Sequence, residues 1–121
     1  MATMTEARRT GEFIISEANG TISRDEVTIV SGQNLAVGTV VGKITASGKY
    51  TAYDDDNADG SQTAAGILYA AVDATAGDKK GVIIARHAEV DTSQLVFVGT
   101  NDAGDITAGK ADLAALAIIL R

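Results

Sequence analysis

The sequence predicts a mainly β fold with one principal helix near residues 105–116 and a terminal strand after it. Three observations predict it. From Phe13 onward the chain is a series of short runs rich in Val, Ile and Thr, cut by Gly, Asn and Asp. Glycines fall inside these runs, at Gly38 and Gly42, where they suit bulges and tight bends better than helix. Only DITAGKADLAALAIILR, at the C-terminus, spaces Leu113, Leu116 or Ala117, and Leu120 as one helical face.

The elements follow in order. Residues 1–12, MATMTEARRTGE, are polar, neutral in sum and aperiodic, so they read as an extended N-terminal arm with Gly11 as its hinge. Residues 13–121 read as one β-rich domain. EFIISEA is an apolar run that ends at Asn19-Gly20, a dipeptide that favours a two-residue hairpin turn. EVTIVS alternates, with Val27 and Ile29 on one side, and stops at Ser31-Gly32. LAVGTVVGKITAS and GKYTAY supply further strands, and an acidic connection follows. AAGILYAAVD and KGVIIARHAEV are apolar strands separated by the turn-rich ATAGDKK, and QLVFVG is another. Asp105 or Thr107 is the expected cap of the helix. Gly109 inside it costs about 1 kcal/mol relative to Ala. In the terminal AIILR, alternation puts either Ile118 and Leu120 or Ile119 toward the core.

Composition narrows the function classes. The chain has 121 residues, which fits one domain. Its apolar material is modest, because 21 residues are Ala and 13 are Gly, so oligomerisation is a natural supplement to the core. The net charge is −6, and Asp54, Asp55, Asp56 and Asp59 account for four of those charges. Arg8-Arg9 and Lys79-Lys80 are isolated basic pairs without a stripe to follow phosphates, which argues against nucleic-acid binding. The absence of Cys removes disulfides and thiolate metal sites. The N-terminus lacks the apolar run of a signal peptide, and no stretch reaches the eighteen apolar residues of a membrane span.

The candidate chemistries can be weighed residue by residue. Asp55-x-Asn57-x-Asp59-Gly60 matches the first half of a calcium loop. The twelfth position, where a bidentate Glu belongs, is Gly66, and strand-like sequence flanks the segment on both sides. An acidic turn, in which Asp, Asn and Gly supply turn conformations, is the preferred reading. A calcium- or sugar-binding module using this loop is the alternative. His87 is the single histidine, in IIARHAEVD, and no Ser is singled out beside it as a nucleophile. GTVVGK lacks phosphate-loop spacing. AGDKKGV places Lys79-Lys80 at an expected hairpin tip, but matches poorly the motif of modules that carry lipoyl or biotinyl groups. The expectation is therefore no enzyme activity and no cofactor.

Against that background the run GKYTAYDDDNADGSQTAAGILYAAVDAT resembles the head decoration proteins of tailed bacteriophages, the family of the phage lambda capsid-stabilising protein. GEFIISEANGTISRDEVTIVSGQNLAVGTVVGKI is similar to the N-terminal half of the family, and the helix with an apolar strand after it also fits. The resemblance covers residues 11–121. It implies a mostly β fold of the β-clip kind with a small α/β part. It also implies a homotrimer on the outer surface of the expanded head, at local three-fold positions, that cements the shell against DNA pressure. The implied partner is the major capsid protein, reached by the arm through Thr3, Met4, Thr5, Ala7, Arg8, Arg9 and Phe13. The implied location is the virion, after synthesis in the host cytoplasm. The lambda protein is richer in Pro and Trp near its interfaces, and this chain has neither.

Overall fold

A computed structural model of the protein describes residues 10–11, 13–17, 22–97 and 103–121. In chain order its elements are β1 (Ile14–Glu17), β2 (Arg24–Ile29), β3 (Asn34–Leu35), β4 (Val40–Lys43), β5 (Tyr50–Ala52), β6 (Ala64–Leu68), β7 (Val72–Asp73), β8 (Lys79–Ile84) and β9 (Ala88–Val90). A 3-10 turn at Thr92–Gln94, helix α1 (Ala103–Ala115) and strand β10 (Ile118–Leu120) complete them. Five strands close a small barrel in the order β2-β5-β4-β6-β8. A three-stranded sheet, β1-β9-β10, and the pair β3-β7 stand beside it. The fold is mainly β, with the helix and terminal strand where the sequence puts them.

The burial pattern explains why some runs alternate and others are continuously apolar. Strands β4, β6 and β8 are covered on both faces. Val41, Leu68 and Ile83 join Ile29, Leu35 and Val72 in one cluster. Their chain neighbours Val40, Ile67 and Ile84 point the other way, into a second cluster with Phe13, Leu113 and Ile118. A strand buried on both sides needs apolar residues at consecutive positions, which is the VV, IL and II of the sequence. Strand β2 is covered on one face only. Val27 and Ile29 face the first cluster, while Glu26 and Thr28 alternate with them.

The expected bulge appears. In the β4–β6 ladder the register shifts between Val41 and Gly42. Other sequence expectations are corrected. The Asn19-Gly20 hairpin does not join its flanking strands, because β1 pairs with β9 and β2 pairs with β5 and β8. Residues 18–21 themselves lie outside the described residues. KGVIIARHAEV is two strands. His87, at φ 52, turns the chain between β8 and β9. Lys79 and Lys80 are not at a hairpin tip but open β8, where they pair with Ile29 and Thr28. QLVFVG forms no strand in its described part. Asp91 accepts from the Ser93 amide and caps the 3-10 turn, and Val96 makes one isolated bridge to Thr39.

Helix α1 begins at Ala103, ahead of both expected caps. Asp105 lies in its first turn, and the Thr107 hydroxyl donates back to the Ala103 carbonyl inside the helix. Its end has no glycine. Ala117, at φ 62, takes the left-handed conformation usually given to Gly at that place. The chain then enters β10, parallel to β9, with Ile118 opposite Ala88 and Leu120 opposite Val90. Ile118 is buried, Leu120 packs on the core, and Ile119 is 51% exposed, so the Ile118/Leu120 alternative holds.

Gly109 faces the core for a specific reason. A Cβ there would sit 2.8 Å from Tyr53 Cε2 and 3.1 Å from Phe97 Cε1. The two rings meet edge to face, with centroids 6.2 Å apart. The Tyr53 hydroxyl donates to the Asp105 carbonyl at 2.7 Å, which ties the helix to the barrel. Burial, with Asp55 nearby, pushes the Tyr53 phenol up to about 12, so it stays a donor at every physiological pH.

Candidate assembly site around Gly11 and Tyr69

Six of the residues expected in the arm, Thr3, Met4, Thr5, Ala7, Arg8 and Arg9, lie outside the described residues. The seventh, Phe13, is a core residue, 1% exposed, in the cluster with Val90 and Ile118. Its carbonyl accepts from the Asp91 amide at 2.7 Å. Its ring is therefore committed to the fold rather than presented to a partner.

Gly11 is pinned as well. Its amide donates to the Tyr69 carbonyl at 2.8 Å, and its φ is 68, in the left-handed region that favours glycine. A Cβ there would meet Tyr69 Cε1 at 2.8 Å. Over the face of the same ring lies Arg24, with its guanidinium carbon 4.1 Å from the centroid. Arg24 Nε and Nη2 both donate to the Glu17 carboxylate, and the buried Ser23 hydroxyl donates to it at 2.6 Å. The bond from Arg24 holds the Glu17 carboxyl below its ordinary range. Glu17 is the last residue of β1, so the end of this strand is tied to Tyr69 through Arg24, and Gly11, ahead of the strand, is tied to it directly. Sequence reasoning missed Tyr69, Arg24 and Glu17, because cation–π and fork contacts between distant residues leave no local pattern.

The outward face of the β1-β9-β10 sheet carries two exposed isoleucines. Ile119, 51% exposed, and Ser16 flank Glu89 there, and Ile15, 54% exposed, stands at the register shift in β1. The Ser16 hydroxyl and Arg121 Nε both donate to Glu89. Exposed His87 lines an open depression of about 380 Å³ with Ser16, Glu17, Glu89, Ala117 and Ile119.

The acidic connection is a folded turn. Asp54 Oδ1 accepts from the Asp56 amide, and the Asn57 amide donates to the Asp54 carbonyl. Asp59 Oδ1 accepts from the hydroxyl and the amide of Ser61, which lower its pKa. Asn57 also donates to Ser61, and the Asp59 carbonyl accepts from the Thr45 amide at 2.9 Å. Carboxylates turned onto their own loop's N–H groups shape a connection, as Asx turns do. Among the described residues no group of three His, Cys, Asp or Glu side chains is placed to hold a metal ion.

No helix among the described residues is long and apolar enough to cross a membrane. Comparison with curated proteins finds no match. A protein-family model does match, along residues 3–118, and its description is bacteriophage lambda head decoration protein D. That span takes in every strand of the barrel, the helix and the start of β10, so the likeness is of nearly the whole chain rather than of one motif. The chain belongs to the bacteriophage lambda head decoration protein D family.

Proposed function

We propose that this protein is a structural cement for a phage head. It binds as a homotrimer to the outer surface of the expanded shell, at local three-fold positions, and stabilises the shell against DNA pressure. The observation that carries this reading is the family match along residues 3–118. Membership of a capsid decoration family supports association with the phage capsid and the virion.

In this reading residues 13–121 are the decoration domain and residues 1–12 are the arm that engages the major capsid protein. Thr3, Met4, Thr5, Ala7, Arg8 and Arg9 make the contacts, and Phe13 anchors the arm from inside the core. An extended arm adds backbone hydrogen bonds to an exposed sheet edge of the shell protein. Ordering one arm offsets much of what it gains, so a single arm binds weakly. Three arms on one trimer make the later contacts intramolecular, which multiplies binding by about 10² to 10⁴. Catalysis and nucleic-acid binding have no part in it.

The test is co-sedimentation with purified expanded and unexpanded shells, together with light scattering for the oligomeric state. Binding of a trimer to expanded shells alone is the expected result. Equal binding to both shell forms, or a monomer in solution, contradicts it.

A further inference from the structure

We propose that Gly11, Tyr69, Arg24 and Glu17 form a clamp that sets the direction in which the N-terminal arm leaves the domain. The inference rests on the reading of residues 1–12 as the capsid-binding arm and names the positioning residues for it.

Holding the fold together does not require this arrangement. Phe13 is already buried, and its carbonyl already accepts from the Asp91 amide. The clamp extends order beyond that anchor, on the side from which the arm departs. The Gly11 amide is held by the Tyr69 carbonyl, and the Gly11 α-carbon lies so close to the ring edge that no Cβ fits. The ring cannot easily swing away, because Arg24 covers its face and is itself gripped by the Glu17 carboxylate. Tyr69 also packs against the core cluster that contains Phe13. The part-buried, two-pronged Arg24–Glu17 pair, with side chains 32% and 20% exposed, contributes modestly to global stability. It can still fix one rotamer. The arm's first step is thus set by four residues, one ahead of β1, one at its end, one at the start of β2 and one just after β6.

Preorganisation of this kind acts on affinity through the fraction of molecules whose arm points correctly. If an unclamped arm does so about a tenth of the time, the apparent Kd rises about tenfold for a single arm. In a trimer the three penalties compound.

The experiment measures binding to expanded shells for Gly11→Ala, Arg24→Gln and, as a surface control outside the clamp, Lys80→Gln. Each is made in the full chain and in a chain that starts at Thr10. Melting temperature and oligomeric state are recorded in parallel. Gly11→Ala and Arg24→Gln should bind at least about tenfold more weakly in the full chain. Arg24→Gln should melt close to the parent, Gly11→Ala a few degrees lower for its strained left-handed backbone and the Tyr69 contact, and Lys80→Gln should bind as the parent does. Because the clamp acts through the arm, neither variant should weaken binding further once residues 1–9 are gone, a non-additivity that a merely structural role would not produce. The Arg24 side chain is 32% exposed and its backbone stays in β2, so Arg24→Gln remains informative if Gly11→Ala folds poorly. Full-strength binding by Arg24→Gln, or an equal loss with and without the arm, overturns the clamp. Unchanged binding on deletion of the arm alone overturns the arm reading instead, and so separates the two failures.

Discussion

Replacing Gly109 by Ala tests whether local helix preference or tertiary packing decides stability at that position. By propensity alone the change should stabilise α1 by about 1 kcal/mol, since Ala is the best helix former and Gly among the worst. The structure reverses the sign. The new methyl carbon would stand 2.8 Å from Tyr53 Cε2 and 3.1 Å from both Tyr53 Cζ and Phe97 Cε1. Tyr53 has no room to retreat. It is fully buried, and its hydroxyl is bonded to the Asp105 carbonyl of the same helix. Overpacking of this kind costs roughly 1–3 kcal/mol. Set against the propensity gain, the net expectation is a loss of about 1 kcal/mol, or a melting temperature lower by roughly 3–5 °C. The assay is thermal and guanidinium unfolding followed by circular dichroism, at one protein concentration because association shifts the apparent stability. The same substitution in a Tyr53→Leu background should regain the helix benefit, because the obstructing ring is absent. A rise in melting temperature for Gly109→Ala in the parent chain would refute the reasoning.

Further expectations follow from the same geometry. Ile118→Asp buries an unpaired carboxylate at a position 1% exposed and should destabilise by several kcal/mol, whereas Ile119→Asp, at 51% exposure, should stay within about 0.5 kcal/mol of the parent; unfolding curves for the pair decide it. Asp59 has its carboxyl held low by the Ser61 hydroxyl and amide, so its contribution is present above the unfolded value of about 3.9 and is lost as pH falls through the lower folded value. The melting temperature should therefore drop with acidification below about pH 4, and less steeply in Asp59→Asn, with Glu17, Asp73, Asp78 and Glu89 acting in the same direction. Millimolar calcium should leave the melting temperature nearly unchanged; a saturable rise that disappears when Asp54, Asp55, Asp56 and Asp59 are all changed to Asn would favour the binding-module alternative. A chain that starts at Gly11 should keep its melting temperature and lose most shell binding, as co-sedimentation beside the full chain would reveal.

The sequence by itself determined what depends on neighbours along the chain. Runs of β-branched residues between turn signals specify strands, and the leucine spacing before AIILR specifies a helix and then a strand. The glycine inside TVVGK marks a bulge, at a place where the Ser61 backbone comes too close for a Cβ. The order of small residues around the acidic connection carried the family resemblance, which the family match confirms.

Tertiary structure alone decided which strands meet and where side chains go. Asn19-Gly20 has a hairpin's composition, yet β1 finds its partner in β9, far along the chain. Turn chemistry can favour a hairpin, but burial of Phe13, Val90 and Ile118 in a shared cluster outweighs it. The break between β8 and β9 was illegible because His87 adopts a left-handed conformation without being glycine. Gly109 read as a local cost and proved to be the gap that admits Tyr53. Phe13, the first residue of the patterned domain, was expected to contact the capsid along with the arm, and the core buries it. In each case a local preference of about 1 kcal/mol met packing terms of several, and packing depends on residues that are distant in the chain and adjacent only after folding.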